Sequence, residues 1–161
     1  MTEFLRRYTL ASWLIALMFI VNPIVDAATN AWPYFVDSAE WRFGSAGILS
    51  GYFVSMMFGL LLMSAIGVAR QQRTTLRLVG GLSALLTLFL LIGSVSFVLD
   101  TFQVRPVVRE DQLAMFKIGA VKTAFKLAAT LVGAVVLAVA SFKAARDTAA
   151  NAPSPVLVRP G

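Results

Sequence analysis

The sequence predicts an all-α membrane protein: an antiparallel four-helix transmembrane bundle with both termini in the cytoplasm and a short external interfacial segment between helices 1 and 2. The first observation is the presence of four apolar stretches of 17–24 residues, Thr9–Val25, Ala46–Ala69, Leu78–Leu99 and Val121–Phe142. A helix of about 20 residues rises about 30 Å, the thickness of the hydrocarbon core of a bilayer. The composition agrees, because 58% of the residues are hydrophobic and 14% are charged, which is too apolar for a soluble domain of this length.

The distribution of charge is the second observation, and it predicts the orientation. With a cytoplasmic amino terminus, the whole net charge of +6 falls on the cytoplasmic side, as the positive-inside rule requires. We therefore expect the basic residues to orient helices and contact lipid headgroups rather than nucleic acid. The charges assigned to the cytoplasm are Arg6, Arg7, Arg70, Arg73, Arg77, Lys143, Arg146 and Arg159, with Glu3 and Asp147. Those assigned outside are Arg42, Arg105, Arg109, Lys117, Lys122 and Lys126, with Asp26, Asp37, Glu40, Asp100, Glu110 and Asp111.

The apolar stretches fit one transmembrane domain, residues 1–147, followed by a tail. Within that domain we expect four helices, at about residues 9–25, 46–69, 78–99 and 112–142. The connection Arg70–Arg77 is short, so the second and third helices form an antiparallel hairpin. The fourth helix is longer than the bilayer is thick. Residues 148–161 are rich in Ala and Pro and have little apolar surface to bury, which predicts a disordered cytoplasmic tail.

The first apolar stretch has two interpretations. Arg6-Arg7, the apolar run and then Val25-Asp26-Ala27 follow the pattern of a cleavable secretory signal. The run is nevertheless long enough to span a bilayer, so we expect a retained helix and keep a cleaved signal as the alternative. Asn22-Pro23 is predicted to kink this helix, because proline at 23 cannot donate a hydrogen bond to the carbonyl of Phe19.

The segment between the first two stretches, residues 27–45, is unusually aromatic. Tryptophan and tyrosine favour the membrane–water interface, where the ring is half buried and its polar edge is hydrated. We therefore expect a short interfacial segment lying on the outer leaflet, with a docking surface for a partner protein as the alternative. The aromatic residues are Trp32, Tyr34, Phe35, Trp41 and Phe43.

Small residues recur along the second stretch at spacings of four or eight. In lipid, such residues let two helix backbones approach closely, and this close packing stabilises the pair. The pattern predicts a helix-packing groove on one face, whose partner is a helix of this chain or of a second copy. Its members are Gly47, Gly51, Ser55, Gly59 and Gly67.

Four ionisable residues lie near the predicted outer boundary. Lys122 and Lys126 share a face of the fourth helix, and Asp26 and Asp100 follow the first and third stretches. Ionisable groups at membrane depth are candidates for a functional site. The four predict an ion-pair cluster or an anion site. In the alternative interpretation, the lysine side chains extend to the headgroups and line no cavity.

The chain contains no cysteine and no histidine, which removes disulfides, thiol catalysis, histidine-ligated haem, the usual zinc sites and a Ser-His-Asp triad. We accordingly expect no catalytic residues, no metal and no cofactor. The leading hypothesis is a structural or accessory protein of the bacterial cytoplasmic (inner) membrane, which associates with itself or with another membrane protein and contacts membrane lipids. The alternative is a small oligomeric transporter or channel with an outward-facing charged site.

Overall fold

The computed structural model describes residues 9–150, which form four long helices. These are α1 (Thr9–Asn30), α2 (Ala39–Ala69), α3 (Arg73–Val104) and α4 (Leu113–Ala150). Two short 3-10 turns, Arg105–Val107 and Glu110–Gln112, connect α3 to α4. All four helices are long and apolar enough to cross a membrane, so the prediction of an all-helical chain with four long apolar helices is confirmed. Arg6-Arg7 and residues 151–161 of the predicted tail lie outside the described range.

Each helix extends beyond the apolar stretch that predicted it. Helix α1 continues through Pro23 and past Val25 to Asn30, because Ala27 and Ala28 favour helix. Helix α4 continues to Ala150, so the first three residues of the predicted tail are helical. The apolar stretches mark the part of a helix that lipid requires to be apolar, whereas local capping determines where the helix ends.

The start of α2 shows this capping directly. The backbone N–H of Trp41 donates to Ser38 Oγ at 3.2 Å, the N-cap hydrogen bond that opens a helix. Glu40 in the first turn is favourable at the positive end of the helix dipole. The aromatic segment predicted over residues 27–45 is therefore a connection of eight residues, 31–38, and the rest of it belongs to α1 and α2.

A tight turn connects α2 to α3. The N–H of Gln72 donates to the carbonyl of Gly67 at 2.9 Å, and the N–H of Gln71 donates to that of Val68 at 3.2 Å. These two bonds form a Schellman motif, whose central residue adopts the left-handed conformation. That residue is Gln71, with φ of 54°, a backbone conformation that glycine adopts without a steric penalty.

We predict that Gln71→Gly stabilises the protein. Removing the Cβ relieves the left-handed strain, and the expected gain is about 1 kcal/mol, since left-handed backbone costs a non-glycine residue about 1–2 kcal/mol. The measurement is the thermal unfolding midpoint in detergent. The control is Gln72→Gly, because Gln72 has φ of −86° and glycine should lower the midpoint there.

Helices α2, α3 and α4 pack against one another, whereas α1 packs against α2. The described residues therefore form a three-helix unit of α2, α3 and α4, and α1 packs mainly along α2. A buried apolar core runs between the helices, and its members include Ala16, Met57, Leu60, Met63, Val79, Leu86, Leu90, Phe97, Leu127, Ala134 and Leu137.

The predicted glycine groove of α2 does not face a single helix. A Cβ at Gly47 would lie 3.6 Å from Thr123 Oγ1, so this glycine faces α4. A Cβ at Gly59 would lie 2.8 Å from the carbonyl oxygen of Ala16, so Gly59 faces α1. A Cβ at Gly67 would lie 3.0 Å from Leu76, so Gly67 faces α3. Residues four apart advance about 400° around a helix, so the stripe turns by about 40° at each step. The small residues consequently serve three neighbours in succession, all within this chain.

Two buried hydroxyls, those of Ser83 and Ser94, have no hydrogen-bond partner among the described residues. Ser83 Oγ is fully buried in α3 and makes no hydrogen bond. A buried polar group without a partner is destabilising. We predict that Ser83→Ala raises stability by about 1 kcal/mol, measured as the unfolding midpoint. Ser50→Ala is the matched control: Ser50 Oγ donates to the carbonyl of Gly47 at 2.7 Å, so its loss should not stabilise.

Candidate functional site

Asp100 is the most buried charged residue among those described, and its partner is Arg42. Its side chain is 5% exposed, whereas that of Arg42 is 33% exposed. Arg42 Nε donates to Asp100 Oδ1 at 3.0 Å and to Oδ2 at 3.2 Å, and Arg42 Nη2 donates to Oδ1 at 2.7 Å. This fork-like arrangement is the strong form of an arginine–carboxylate interaction. The remaining guanidinium nitrogen, Nη1, donates to the carbonyl of Val36 at 2.8 Å.

The pair joins the start of α2 to the last turns of α3, and we call this end of the molecule the Asp100 end. An aromatic stack also joins the helices there. The ring of Phe43 lies 5.2 Å from that of Phe97 and 4.9 Å from that of Phe116, with interplanar angles of 15° and 26°. Since the three rings come from α2, α3 and α4, the Asp100 end is held by both an ion pair and apolar packing.

The structure pairs Asp100 with Arg42 instead of with the lysines of α4. Within residues 9–150, no carboxylate lies within 4.0 Å of the amino group of Lys122 or Lys126. Lys122 is exposed. Lys126 extends towards α2, where its Nζ would lie 3.8 Å from a Cβ at Gly51. The predicted Asp100–lysine ion pair is thus replaced by one with an arginine that the sequence interpretation assigned to a loop.

Asp26 lies in a different place, a groove of about 470 Å³ between α1 and α2. Tyr52 Oη accepts a hydrogen bond from Asn30 Nδ2 at 2.8 Å, which connects the two helices beside the groove. Since Tyr52 faces α1 and the adjacent Gly51 faces α4, Asp26 and Lys126 lie on different sides of α2. The lining residues are Ile15, Met18, Phe19, Asn22, Pro23, Asp26, Tyr52 and Ser55.

Asn22 and Pro23, where a kink was predicted, therefore line the same groove as the predicted packing residue Ser55. Pro23 is buried against α2, whereas Asn22 is exposed. The groove combines a carboxylate, an amide and two hydroxyls with an apolar wall. It has the polar groups to bind a small polar molecule or water, but among residues 9–150 no three carboxylates lie close enough to hold a metal ion.

The connection between α1 and α2 exposes its aromatic rings. Trp32 is 71% exposed and Phe35 is 59% exposed. Tyr34 Oη donates to the carbonyl of Ala28 at 2.8 Å, and the Tyr34 ring contacts Trp32 and Trp41 edge to face at 5.4 and 6.1 Å. The rings are thus ordered by internal contacts while their outer faces stay accessible.

Arg42 is the residue that sequence reasoning missed. Arg42 and Asp100 are 58 positions apart, and they are equidistant from Gln71, the centre of the α2–α3 turn. That symmetry is the signal that could have paired them, because residues equidistant from a tight helical turn lie side by side.

Comparison with protein-family models, with curated proteins and with solved structures finds no match for this chain.

Proposed function

We propose that this protein is a structural or accessory subunit of a membrane assembly, folded as an antiparallel four-helix transmembrane bundle. Contacts between successive helices support the antiparallel arrangement. Arg42 meets Asp100 while Gly67 meets Leu76, so position along α2 rises as position along α3 falls. Between α1 and α2, Gly59 lies against Ala16 whereas Tyr52 is hydrogen-bonded to Asn30. Between α3 and α4, Gly80 lies against Phe142, whereas Phe97 and Phe116 both stack on Phe43.

The orientation follows from the charges at the two ends. The end that contains the α2–α3 turn, which we call the Gln71 end, carries Arg70, Arg73, Arg77, Lys143 and Arg146, with Asp147 as its acidic residue. At the Asp100 end, the six basic residues assigned outside are balanced by the six acidic residues assigned there. In this proposal the membrane is a bacterial inner membrane, and the positive-inside rule favours the Gln71 end and both termini on its cytoplasmic side and the Asp100 end outside.

The observation that carries the proposal is that α1 packs mainly against α2. Ser12, Ala16 and Pro23 are buried on one face of α1. The opposite face carries Leu14 and Val25, which are 54% and 53% exposed. An apolar helix that packs mainly against one helix of its own chain leaves a face on which a second copy or another membrane subunit can pack.

The aromatic connection contributes to the same surface. It follows α1 directly, and its exposed rings lie at the level where tryptophan and tyrosine favour the interface. In this proposal residues 31–38 lie in the outer headgroup region and extend the surface of α1. Retention of α1, rather than its cleavage as a signal, is part of the proposal, and Gly59 of α2 packs directly onto it.

A transporter or channel is not our preferred function. That alternative requires Asp26, Asp100, Lys122 and Lys126 to line one outward-facing site. Asp100 instead pairs with Arg42, and Asp26 lies in the groove on the α1 side of α2. The groove around Asp26 would have to bind the transported molecule without the lysines.

Cysteine crosslinking in native membranes tests the proposal, because the chain contains no cysteine that would give a background signal. We expect a Leu14→Cys variant to form a discrete disulfide-linked product on mild oxidation, identified by mass spectrometry as two copies or as this chain joined to a cysteine of one defined membrane protein. The matched control is Leu88→Cys on α3, because Leu88 is also 54% exposed.

The expected result is a yield at least several-fold higher for Leu14→Cys than for Leu88→Cys. Equal yields would indicate random collisions in the bilayer and would overturn the proposal, as would the absence of any product from either variant. An intact mass lacking α1 would overturn it as well, because the proposed surface would be removed by cleavage.

A further inference from the structure

A cleft of about 300 Å³ at the Gln71 end is lined by three arginines. Arg73 and Arg77 lie one turn apart near the start of α3, and Arg146 lies near the end of α4. Phe142 and Ala145 complete the lining. The cleft is separate from the Arg42–Asp100 pair and from the groove around Asp26, and the proposed function uses its arginines only as charges that orient the chain.

Close packing of α3 on α4 brings these arginines together. A Cβ at Gly80 would lie 3.0 Å from three carbons of the Phe142 ring, so the ring occupies the space that the glycine leaves. Arg73 and Arg77 project from the same side of α3 as Gly80, and Arg146 lies one turn beyond Phe142 on α4. The Gly80–Phe142 contact therefore brings the three arginines to the lining of one cleft.

No described acidic residue neutralises the cluster. All three arginines are exposed, and within residues 9–150 no carboxylate lies within 4.0 Å of their guanidinium nitrogens. Asp147 is adjacent to Arg146 in sequence, but it lies about 100° further around the helix and does not line the cleft. Like charges one turn apart repel each other, so an anion bound between the two helices would stabilise this arrangement.

The depth of the cleft indicates which anion. Arg77 immediately precedes the apolar stretch Leu78–Leu99, and Phe142 ends the apolar stretch of α4. The guanidinium groups thus lie at the boundary of the hydrocarbon, where lipid phosphates lie. The Phe142 ring and Ala145 form an apolar floor beside them. Guanidinium groups bind phosphate through paired hydrogen bonds, and basic pockets between transmembrane helices bind acidic headgroups.

We propose that Arg73, Arg77 and Arg146 form a binding site for the phosphodiester headgroup of an anionic phospholipid. The guanidinium groups donate hydrogen bonds to the phosphate oxygens, and the acyl chains lie along the apolar surfaces of α3 and α4. The site selects net negative headgroups over zwitterionic ones, because a choline or ethanolamine cation would add to the positive charge of the cluster.

The test is a titration of the purified full-length protein in a neutral detergent with phosphatidylglycerol, followed by the thermal unfolding midpoint. We expect the midpoint to rise saturably with phosphatidylglycerol and to change little with phosphatidylcholine. The variant R73Q/R77Q/R146Q should bind phosphatidylglycerol about tenfold or more weakly, since hydrogen bonds to charged groups carry much of the affinity. The control R105Q/R109Q/K117Q also removes three positive charges from exposed residues, and it should titrate like the unmodified protein.

Three outcomes would overturn the proposal: an equal rise with phosphatidylcholine, an equal loss of affinity in the control, or an equal rise with inorganic phosphate at the same concentration. The last result would identify a soluble anion as the ligand. If the glutamine variant does not fold, R73K/R77K/R146K keeps the charge and removes the paired hydrogen bonds. Its affinity should fall several-fold, and an unchanged affinity would equally refute the site.

Discussion

Replacing Gly59 by leucine is expected to separate α1 from α2. Even a single Cβ at this position would lie 2.7 Å from Ile20 Cγ1 and 2.8 Å from the carbonyl oxygen of Ala16. Ile20 can change its rotamer, but the backbone oxygen moves only if α1 itself moves. Overpacking a core usually costs about 1–3 kcal/mol, and a full leucine against backbone should reach at least the top of that range.

The matched control is Gly44→Leu, because Gly44 lies in the same helix and a Cβ there meets nothing within 4 Å. Two measurements separate local damage from loss of α1 packing. The first is the unfolding midpoint in detergent. The second is the yield of a short bismaleimide crosslink in an Asn30→Cys/Tyr52→Cys background, since these side chains are hydrogen-bonded at 2.8 Å.

We expect Gly59→Leu to lower both the midpoint and the crosslink yield, and Gly44→Leu to change neither. A normal crosslink yield in Gly59→Leu would mean that α1 is positioned by something other than this contact. Because the proposed assembly surface lies on the far side of α1, the same variant should also reduce the Leu14→Cys product described above.

How far the sequence predicts this fold depends on which force determines each feature. The existence of four helices long and apolar enough to span a membrane follows from the apolar stretches in the sequence, because a bilayer requires about 20 apolar residues per span regardless of how the helices pack. The helix ends did not follow, since they depend on single hydrogen bonds such as Trp41 N–H to Ser38 Oγ. Similarly, Gln71 at the centre of a left-handed turn is hidden from a sequence pattern that looks for glycine.

Helix neighbours were harder to predict than helix positions. The small residues of α2 were predicted to form a packing groove, and their spacing of four was treated as one face. The drift of about 40° per step distributes Gly47, Gly59 and Gly67 over three different helices. Whether a given side of α2 faces α1 or α4 depends on the rotation of every helix, which no local pattern encodes.

The charged residues show the same limit. The sequence indicates that Asp100 lies near a membrane boundary and needs a cation. It offers several cations at that boundary, and depth alone favoured the lysines of α4. The turn at Gln71 determines which cation pairs with Asp100, because it aligns α2 and α3 so that Arg42 lies beside Asp100.

The second large effect is expected at this pair, and its signature is an order of stabilities. Arg42→Gln leaves a carboxylate that is 5% exposed without a cation in reach. Asp100→Asn leaves a guanidinium that is one-third exposed, that still donates to the carbonyl of Val36, and that water can solvate. Removing one partner of a buried ion pair destabilises the fold mainly because the other charge stays buried without a counter-charge. Arg42→Gln should therefore lower the unfolding midpoint by several degrees, and Asp100→Asn by less.

The double variant R42Q/D100N provides the decisive comparison. It leaves no buried charge without a counter-charge, so it should be more stable than Arg42→Gln alone, even though it carries one substitution more. Additive losses would instead mean that the two residues do not interact. Arg109→Gln is the reference for an exposed ion pair, because Arg109 and Asp111 are 77% and 64% exposed and such pairs contribute little. If that variant were as unstable as Arg42→Gln, general loss of positive charge would explain both, and the buried pair would have no special part in joining α2 to α3.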